Sequence, residues 1–166
     1  MDLVLGEELL FKSLLDKSFK FLSYRPRSKA EVWGFLNSKI PEEKDYWEIR
    51  DKVLEKLEAL NLINDLEFAE WLKEQRLSSR NPKGFLAIKQ ELLLKGVARE
   101  LISQINPGSL DPDKEANIFS FLVRKEKVLK YSLGHQRKQK LLQILRARGF
   151  DFGESQRLLD KFLANH

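Results

Sequence analysis

The stretch FLSYRPRSKAEV, residues 21–32, decides the fold because it ends one helix and begins the next. Pro26 disfavours helical geometry at the preceding Arg25, so the apolar run before it must stop there. Ser28, with a glutamate three positions later, has the form of a capping box, which predicts that a second helix begins at once. Arg25 and Arg27 flank the proline. We therefore expect two helices joined by a tight, basic corner.

Helical periodicity continues outside this corner. Apolar residues recur at spacings of three and four along the chain, and strand signals are almost absent. Further capping patterns begin at Asn64 and Asp151, and Pro41 and Pro112 suit the first position of a helix. The sequence predicts an all-α protein with about nine helices.

The basic corner recurs twice, which predicts three copies of one unit. When Pro26, Pro82 and His135 are placed in register, each copy has a basic residue thirteen positions later. In the second and third copies Gly96 and Gly149 follow it, and glycine suits the left-handed end of a helix. The alternative to a repeat is that amphipathic helices can be aligned by chance at a few positions. Apolar residues also coincide six and ten positions after the register point: Val32, Ile88 and Leu141, then Leu36, Leu92 and Leu145.

The expected architecture follows from the size of this unit. A unit of about 50 residues buries little of its own surface, so it must stack on its neighbours. We expect three tandem three-helix, helix-turn-helix-like repeats, stacked into an elongated, curved array. The predicted domains are residues 1–63 with the N-terminal helix, residues 64–108 and residues 109–166.

The composition argues against several kinds of chemistry. The 166 residues include no cysteine, so disulfides, thiolate metal sites and a cysteine nucleophile are excluded. The sequence has no phosphate-cradling glycine loop, no serine-hydrolase motif and no His-carboxylate metal pattern. We expect no catalytic residues, no cofactor and no metal. The chain also has no basic leader and no apolar run of membrane length, so a cytoplasmic protein is expected.

Charge is distributed unevenly along the chain. Residues 1–70 carry a net charge of −4, whereas residues 71–166 carry +9. Residues 121–148 contain nine Lys or Arg and a single acid, Glu126. This asymmetry indicates a polyanionic partner, although a solvated charged face is the plainer interpretation.

The three corners are all basic, and helix starts also present backbone N–H groups to an anion. The predicted binding residues are Arg25, Arg27, Arg76, Arg80, Lys83, Arg124, Lys125, Lys127, Lys130, Arg137, Lys138 and Lys140. Lys83 is expected to be exposed. Alternatively, Arg25 or Arg27 pairs with Glu31 or Glu58 in a structural role.

The tryptophans have two interpretations. Trp33, Trp47 and Trp71 are residues from which a base-stacking platform can be built. Helical spacing favours core packing for Trp71 and for Phe68. Trp47 lies among charged residues, and for it both base stacking and core packing remain possible interpretations.

Three segments resemble the motifs of one family. FLSYRPRSKAEV resembles Y-L-x-x-R-x-R-S-x-x-E-L, LNLINDLEFAEWLKEQR resembles G-(L/I)-(L/I)-(D/N)-D-x-x-F-A, and PKGFLAIKQELLLKGV resembles K-G-x-x-x-I-x-x-E-L-x-x-K-G-(I/V). In this order and spacing the motifs are those of the RecX family, small regulators of the RecA recombinase. The resemblance covers about residues 20–105, and residues 140–160 resemble the third repeat more loosely. Asn61 and Ile40 stand where the family often has glycine.

The resemblance implies a non-enzymatic modulator, mainly an inhibitor, of RecA. Such a protein binds the RecA–single-stranded DNA filament as a monomer, opposes its growth and thereby regulates recombination, DNA repair and the SOS response. Single-stranded DNA, and duplex DNA without sequence preference, are implied partners. The alternative is a sequence-specific helix-turn-helix DNA-binding regulator, but the segment FLAIKQELLLKG offers few polar side chains for reading bases.

Overall fold

A computed structural model of the chain describes residues 2–40, 46–105, 110–129 and 134–165. Over these residues the secondary structure is helical without a strand, which confirms the predicted all-α class. No helix in this part of the chain is long and apolar enough to cross a membrane. The nine helices found there are α1 (Asp2–Ser23), α2 (Lys29–Asn37), α3 (Trp47–Ala59), α4 (Asp65–Leu77), α5 (Phe85–Leu94), α6 (Arg99–Gln104), α7 (Pro112–Val128), α8 (Gly134–Ala147) and α9 (Phe152–Ala164).

The predicted helix starts are confirmed by their hydrogen bonds. The Ser28 hydroxyl accepts the Glu31 N–H at 3.1 Å, and the Glu31 carboxylate accepts the Ser28 N–H at 3.3 Å, which completes the capping box of α2. Asn64 caps α4 and Asp151 caps α9 through their side-chain oxygens. Pro112 occupies the first turn of α7. Pro41 lies outside the described residues.

The helix ends explain the glycines of the repeat. Gly96 and Gly149 have φ of +76° and +88°, as predicted for left-handed helix ends. Asn61 has φ of +53° at the end of α3. Asparagine adopts this conformation more readily than other side chains do, so it can replace the glycine usual at this position.

The chain divides into two compact units. The first comprises Met1–Trp71 and Leu93–Ile105, and the second comprises Leu72–Leu92 and Asn106–His166. The division into domains 1–63, 64–108 and 109–166 stays a prediction, and each of these three ranges contains three of the helices named above.

The core of the first unit is built from α1, α2 and α3. Val32 and Leu36 of α2 are fully buried against Leu14 of α1 and against apolar residues of α3. In the second unit Ile88, Leu92, Leu141 and Leu145 are also fully buried. The apolar positions that coincide in the repeat register are therefore core positions in all three copies.

Candidate functional site

The first corner is held by a carboxylate that bonds two cations. Arg25 donates to Glu31 at 2.8 Å and Lys95 donates to the same carboxylate at 2.8 Å. Burial works to raise the pKa of Glu31, but the hydrogen bonds from Arg25, Lys95 and the Ser28 N–H outweigh it and lower the pKa to about 2. The structural alternative for Arg25, pairing with Glu31, is therefore what the structure shows.

The second corner has its own carboxylate with two cations. Arg76 donates to Glu91 at 3.0 and 3.1 Å through its Nε, and Lys83 donates to Glu91 at 2.8 Å. The hydrogen bond from Arg76 is the main cause that lowers the pKa of Glu91 to about 2 and that raises the pKa of Arg76. Lys83 was expected to be exposed, but its side chain is 35% exposed and ion-paired.

The helix starts at both corners are occupied by backbone and side-chain groups of the same unit. The Ser28 hydroxyl donates to the carbonyl of Lys95 at 2.6 Å in the first unit. In the second, the N–H of Gly84 donates to the carbonyl of Arg148 at 2.9 Å, and the Arg148 side chain donates to the Pro82 carbonyl at 2.9 Å. The expectation that these N–H groups are available to an anion is therefore wrong for Ser28, which bonds Glu31, and for Gly84.

Arg27 differs from the other arginine of its corner. Its guanidinium lies 4.0 Å from the centre of the Phe21 ring, which stacks on Phe35 at 4.2 Å. Its Nε is buried and has no hydrogen-bond partner in the part of the chain that the structure describes. Burial and the charge of Arg25 lower the pKa of the Arg27 guanidinium, and Glu31 partly offsets this. Within the described residues, the Arg27 charge is therefore held by aromatic stacking and no carboxylate is hydrogen-bonded to it.

The largest set of predicted residues gathers where α7 ends and α8 begins. Lys138 pairs with Asp160 at 2.9 Å, Arg137 pairs with Glu126, and both cations are nearly half exposed. The Lys125 ammonium lies 5.4 Å from the centre of the Phe121 ring. The Lys138–Asp160 pair is exposed on both sides, and such pairs contribute about 0–1 kcal/mol, so a stronger anionic partner can replace it. We call this set the α7–α8 cluster: Arg124, Lys125, Lys127, Arg137, Lys138 and Lys140.

Two predicted binding residues, Arg80 and Lys130, lie outside the α7–α8 cluster as defined. Arg80 is exposed, and the Arg124 guanidinium donates to its backbone carbonyl. Lys130 lies outside the described residues.

The aromatic residues lie in two kinds of environment, the apolar core and stacks with arginine. Phe68 is 1% exposed, which confirms a core position, whereas Trp71 is half-buried with the Arg25 guanidinium 5.6 Å from its ring centre. Arg50 lies between Trp33 and Trp47, 5.1 Å from each ring centre. Sequence reasoning misses this stack, because the stack joins side chains of two helices, α2 and α3, and depends on how those helices pack.

The described residues contain no group of three or more His, Asp or Glu side chains that could hold a metal ion. Their ion pairs lie at helix corners and on helix surfaces. This arrangement can bind anions and can hold helices together.

Known proteins are similar to this chain in fold and in sequence. Residues 64–104 match the family model described as "RecX, second three-helix domain". The regulatory protein RecX of Chlorobium phaeobacteroides is 31% identical over 150 residues, covering 90% of this chain and 93% of that protein. The crystal structure of RecX from Lactobacillus salivarius matches with a TM-score of 0.72, over 94% of this chain and 96% of that chain, at 21% identity.

A longer relative matches over a shorter segment. The regulatory protein RecX of Listeria monocytogenes serotype 4a is 40% identical over 91 residues, which are 55% of this chain. The match spans 32% of the Listeria protein, so the chain accounts for about a third of that relative's length.

The helices and the near full-length match define an all-helical chain that contains a three-helix domain and resembles regulatory protein RecX. The chain belongs to the RecX family.

Proposed function

We propose that this protein modulates, and mainly inhibits, a cytoplasmic RecA recombinase by binding the RecA–single-stranded DNA filament as a monomer. The observation that carries the proposal is the match to regulatory protein RecX over 90% of the chain. Binding alone, without catalysis, is the proposed mode of action.

The α7–α8 cluster supports the proposal through its charge. The segment 121–140 that holds its six cations contains one acid, Glu126, and two of the cations, Arg137 and Lys138, are nearly half exposed in their ion pairs. A polyanion that replaces those pairs gains contacts with many cations at once, and it releases counterions from the DNA. Binding through this cluster should therefore be independent of sequence and strongly dependent on salt.

The twelve predicted residues divide into two roles in this proposal. Arg25, Arg76 and Lys83 hold the corners through half-buried carboxylates and contribute to binding only through the fold. The contact residues are Arg27, Arg80 and the α7–α8 cluster, with Lys130 predicted from the sequence alone.

The test measures the single-stranded-DNA-dependent ATPase of a RecA protein while this protein is titrated in at fixed salt. We expect inhibition at amounts below one molecule per RecA. The triple variant R137E/K138E/K140E should lose at least tenfold in inhibitory potency, because six units of charge change in the α7–α8 cluster.

The matched control for that variant is K12E/K17E/K20E, which changes net charge equally at three exposed residues of α1. This control should inhibit like the unmodified protein. Absence of inhibition by the unmodified, folded protein at stoichiometric amounts would contradict the proposed function. Equal losses in the two triple variants would show that net charge matters and the cluster does not.

The alternative of sequence-specific duplex binding gains no support from α5. Lys89 and Gln90 are exposed there, but so are Leu86 and Leu94, at 52% and 88%. A recognition helix reads bases with polar side chains along its exposed face. Discrimination between duplex sequences at fixed salt would favour the alternative over filament binding.

A further inference from the structure

A groove of about 640 Å³ lies within the first compact unit, beside its corner. Three apolar or aromatic side chains of its wall are substantially exposed: Tyr24 at 73%, Leu62 at 45% and Phe19 at 38%. A contiguous exposed apolar surface of this kind usually marks a binding site. The wall also includes Leu22, Pro26 and Phe68.

Arg27 places one rigid positive charge in this wall. Its stacking on Phe21, which in turn stacks on Phe35, fixes the guanidinium in position. Its Nε–H is buried and bonds no described group, so the terminal N–H groups of the guanidinium are the ones that an acceptor brought by a ligand can reach. Arg25 offers no such opportunity, because Glu31 already accepts its hydrogen bonds.

The surroundings favour a carboxylate on a protein over a nucleic-acid backbone. Glu67 also lines the groove, and residues 1–70 carry a net charge of −4, which opposes the approach of a chain of phosphates. A single carboxylate matches the planar fork of an arginine. An apolar side chain next to that carboxylate would fill the space between Leu22, Leu62 and Phe68.

We propose that this groove is a docking site for a segment of the RecA protein that presents an apolar side chain next to a carboxylate, which Arg27 binds. The inference rests on the proposed function and adds a protein contact to the DNA-directed α7–α8 cluster. Filament binding then has two parts, one sensitive to the groove and one sensitive to the basic cluster.

The test compares three variants by fluorescence anisotropy of the labelled protein, with RecA–poly(dT) filaments and with poly(dT) alone. Leu62→Ser removes a groove side chain at an exposed position, so it leaves the core intact. Arg27→Met keeps an apolar stem over Phe21 but removes the charge. Leu60→Ser is the matched control, since Leu60 is 46% exposed, two residues away, and outside the groove wall.

We expect Leu62→Ser and Arg27→Met each to weaken filament affinity at least tenfold, while affinity for poly(dT) alone and the behaviour of Leu60→Ser stay unchanged. Unchanged filament affinity in Leu62→Ser would overturn the inference even if Arg27→Met proved unstable, and it would leave the proposed function standing. Equal weakening on poly(dT) alone would show that nucleic acid occupies the groove and would also overturn it. Absence of filament binding by the unmodified protein would overturn both proposals.

Discussion

The first and second corners connect equivalent segments of the chain through different chemistry. In the first, the hydroxyl of Ser28 donates to the carbonyl of Lys95 at 2.6 Å. In the second, the backbone N–H of Gly84 donates to the carbonyl of Arg148 at 2.9 Å. The donors occupy equivalent positions in the repeat register, and so do the acceptors. A side chain thus joins the segments of the first corner, whereas backbone meets backbone in the second.

The two corners also differ in how much room they leave for a Cβ atom at their glycines. A Cβ on Gly84 would lie 2.2 Å from the backbone nitrogen of Phe150, and a Cβ on Gly149 would lie 2.5 Å from the nitrogen of Ala87. A Cβ on Gly96 of the first corner would meet mainly the methyl group of Ala30. The second corner is therefore closed to any side chain, and substitutions there should have the largest effects.

Gly84→Ala is expected to destabilise the protein by about 4 kcal/mol, because backbone atoms cannot yield as a flexible side chain would. The measurement is urea unfolding followed by circular dichroism. Gly34→Ala is the control: Gly34 lies inside α2 with open space around it, so alanine should stabilise the helix by about 0.5–1 kcal/mol. A Gly84→Ala protein as stable as the parent would show that the second corner has room to relax.

Leu92→Ala is expected to cost about 3 kcal/mol, since Leu92 is fully buried in the second unit. Leu36→Ala, at the equivalent position of the first unit, should cost a similar amount. Leu94→Ala in the same helix as Leu92 is the control and should change stability by less than about 0.5 kcal/mol, because Leu94 is 88% exposed. An unaltered melting temperature for Leu92→Ala would contradict the shared core face.

The features predicted correctly from the sequence are local ones. Ser28 was identified as a cap, and Gly96 and Gly149 as left-handed helix ends, because capping and positive φ depend on a few neighbouring residues. The buried positions Ile88 and Leu92 followed from helical spacing alone. Such signals are complete within one turn or one helix, so they can be read without knowledge of the tertiary structure.

Except for the Arg25–Glu31 pair, which was one of the alternatives considered from the sequence, the pairing of the basic residues could not be predicted in the same way. Lys95 reaches Glu31 across 64 positions, and Arg76 reaches Glu91 across a corner whose geometry the sequence does not specify. Leu62 also gave no sign that it lines a groove, since its position in a turn is compatible with burial or exposure. Ion pairs and grooves depend on how helices pack, which spacing does not determine.

Ser28→Ala tests the first corner and is expected to cost about 2 kcal/mol. The substitution removes the cap of α2 and the hydrogen bond to the Lys95 carbonyl at a fully buried position. Ser103→Ala is the control, because the exposed Ser103 hydroxyl bonds the carbonyl of Glu100 in its own helix, and it should change stability by less than about 0.5 kcal/mol. Urea unfolding measures the stability of both variants. If Ser28→Ala is as stable as Ser103→Ala, the Ser28 hydroxyl contributes little to the corner.

The pH dependence of stability should show that the two corners are electrostatically alike despite their different connections. Glu31 and Glu91 each have a pKa of about 2, below the ordinary 4.5, so in this range the unfolded chain binds protons that the folded protein does not. Their contribution is therefore present above about pH 5 and is lost as the pH falls from 4.5 towards 2. Each should account for about 1–2 kcal/mol of the stability lost between pH 6 and pH 3.

Glu31→Gln and Glu91→Gln test this contribution one corner at a time. Each variant starts less stable at pH 6, because glutamine bonds its two cations weakly, and each should lose about 1–2 kcal/mol less than the parent on going to pH 3. Urea unfolding at pH 6 and pH 3 measures the difference. Burial works to raise the pKa of Glu115, but its bonds to Lys161 and Arg157 lower the pKa on balance, so part of the acid sensitivity must remain in both variants. Parallel pH profiles for Glu91→Gln and the parent would mean that Arg76 and Lys83 do not hold that carboxylate in solution, and would return both cations to the set available for a partner.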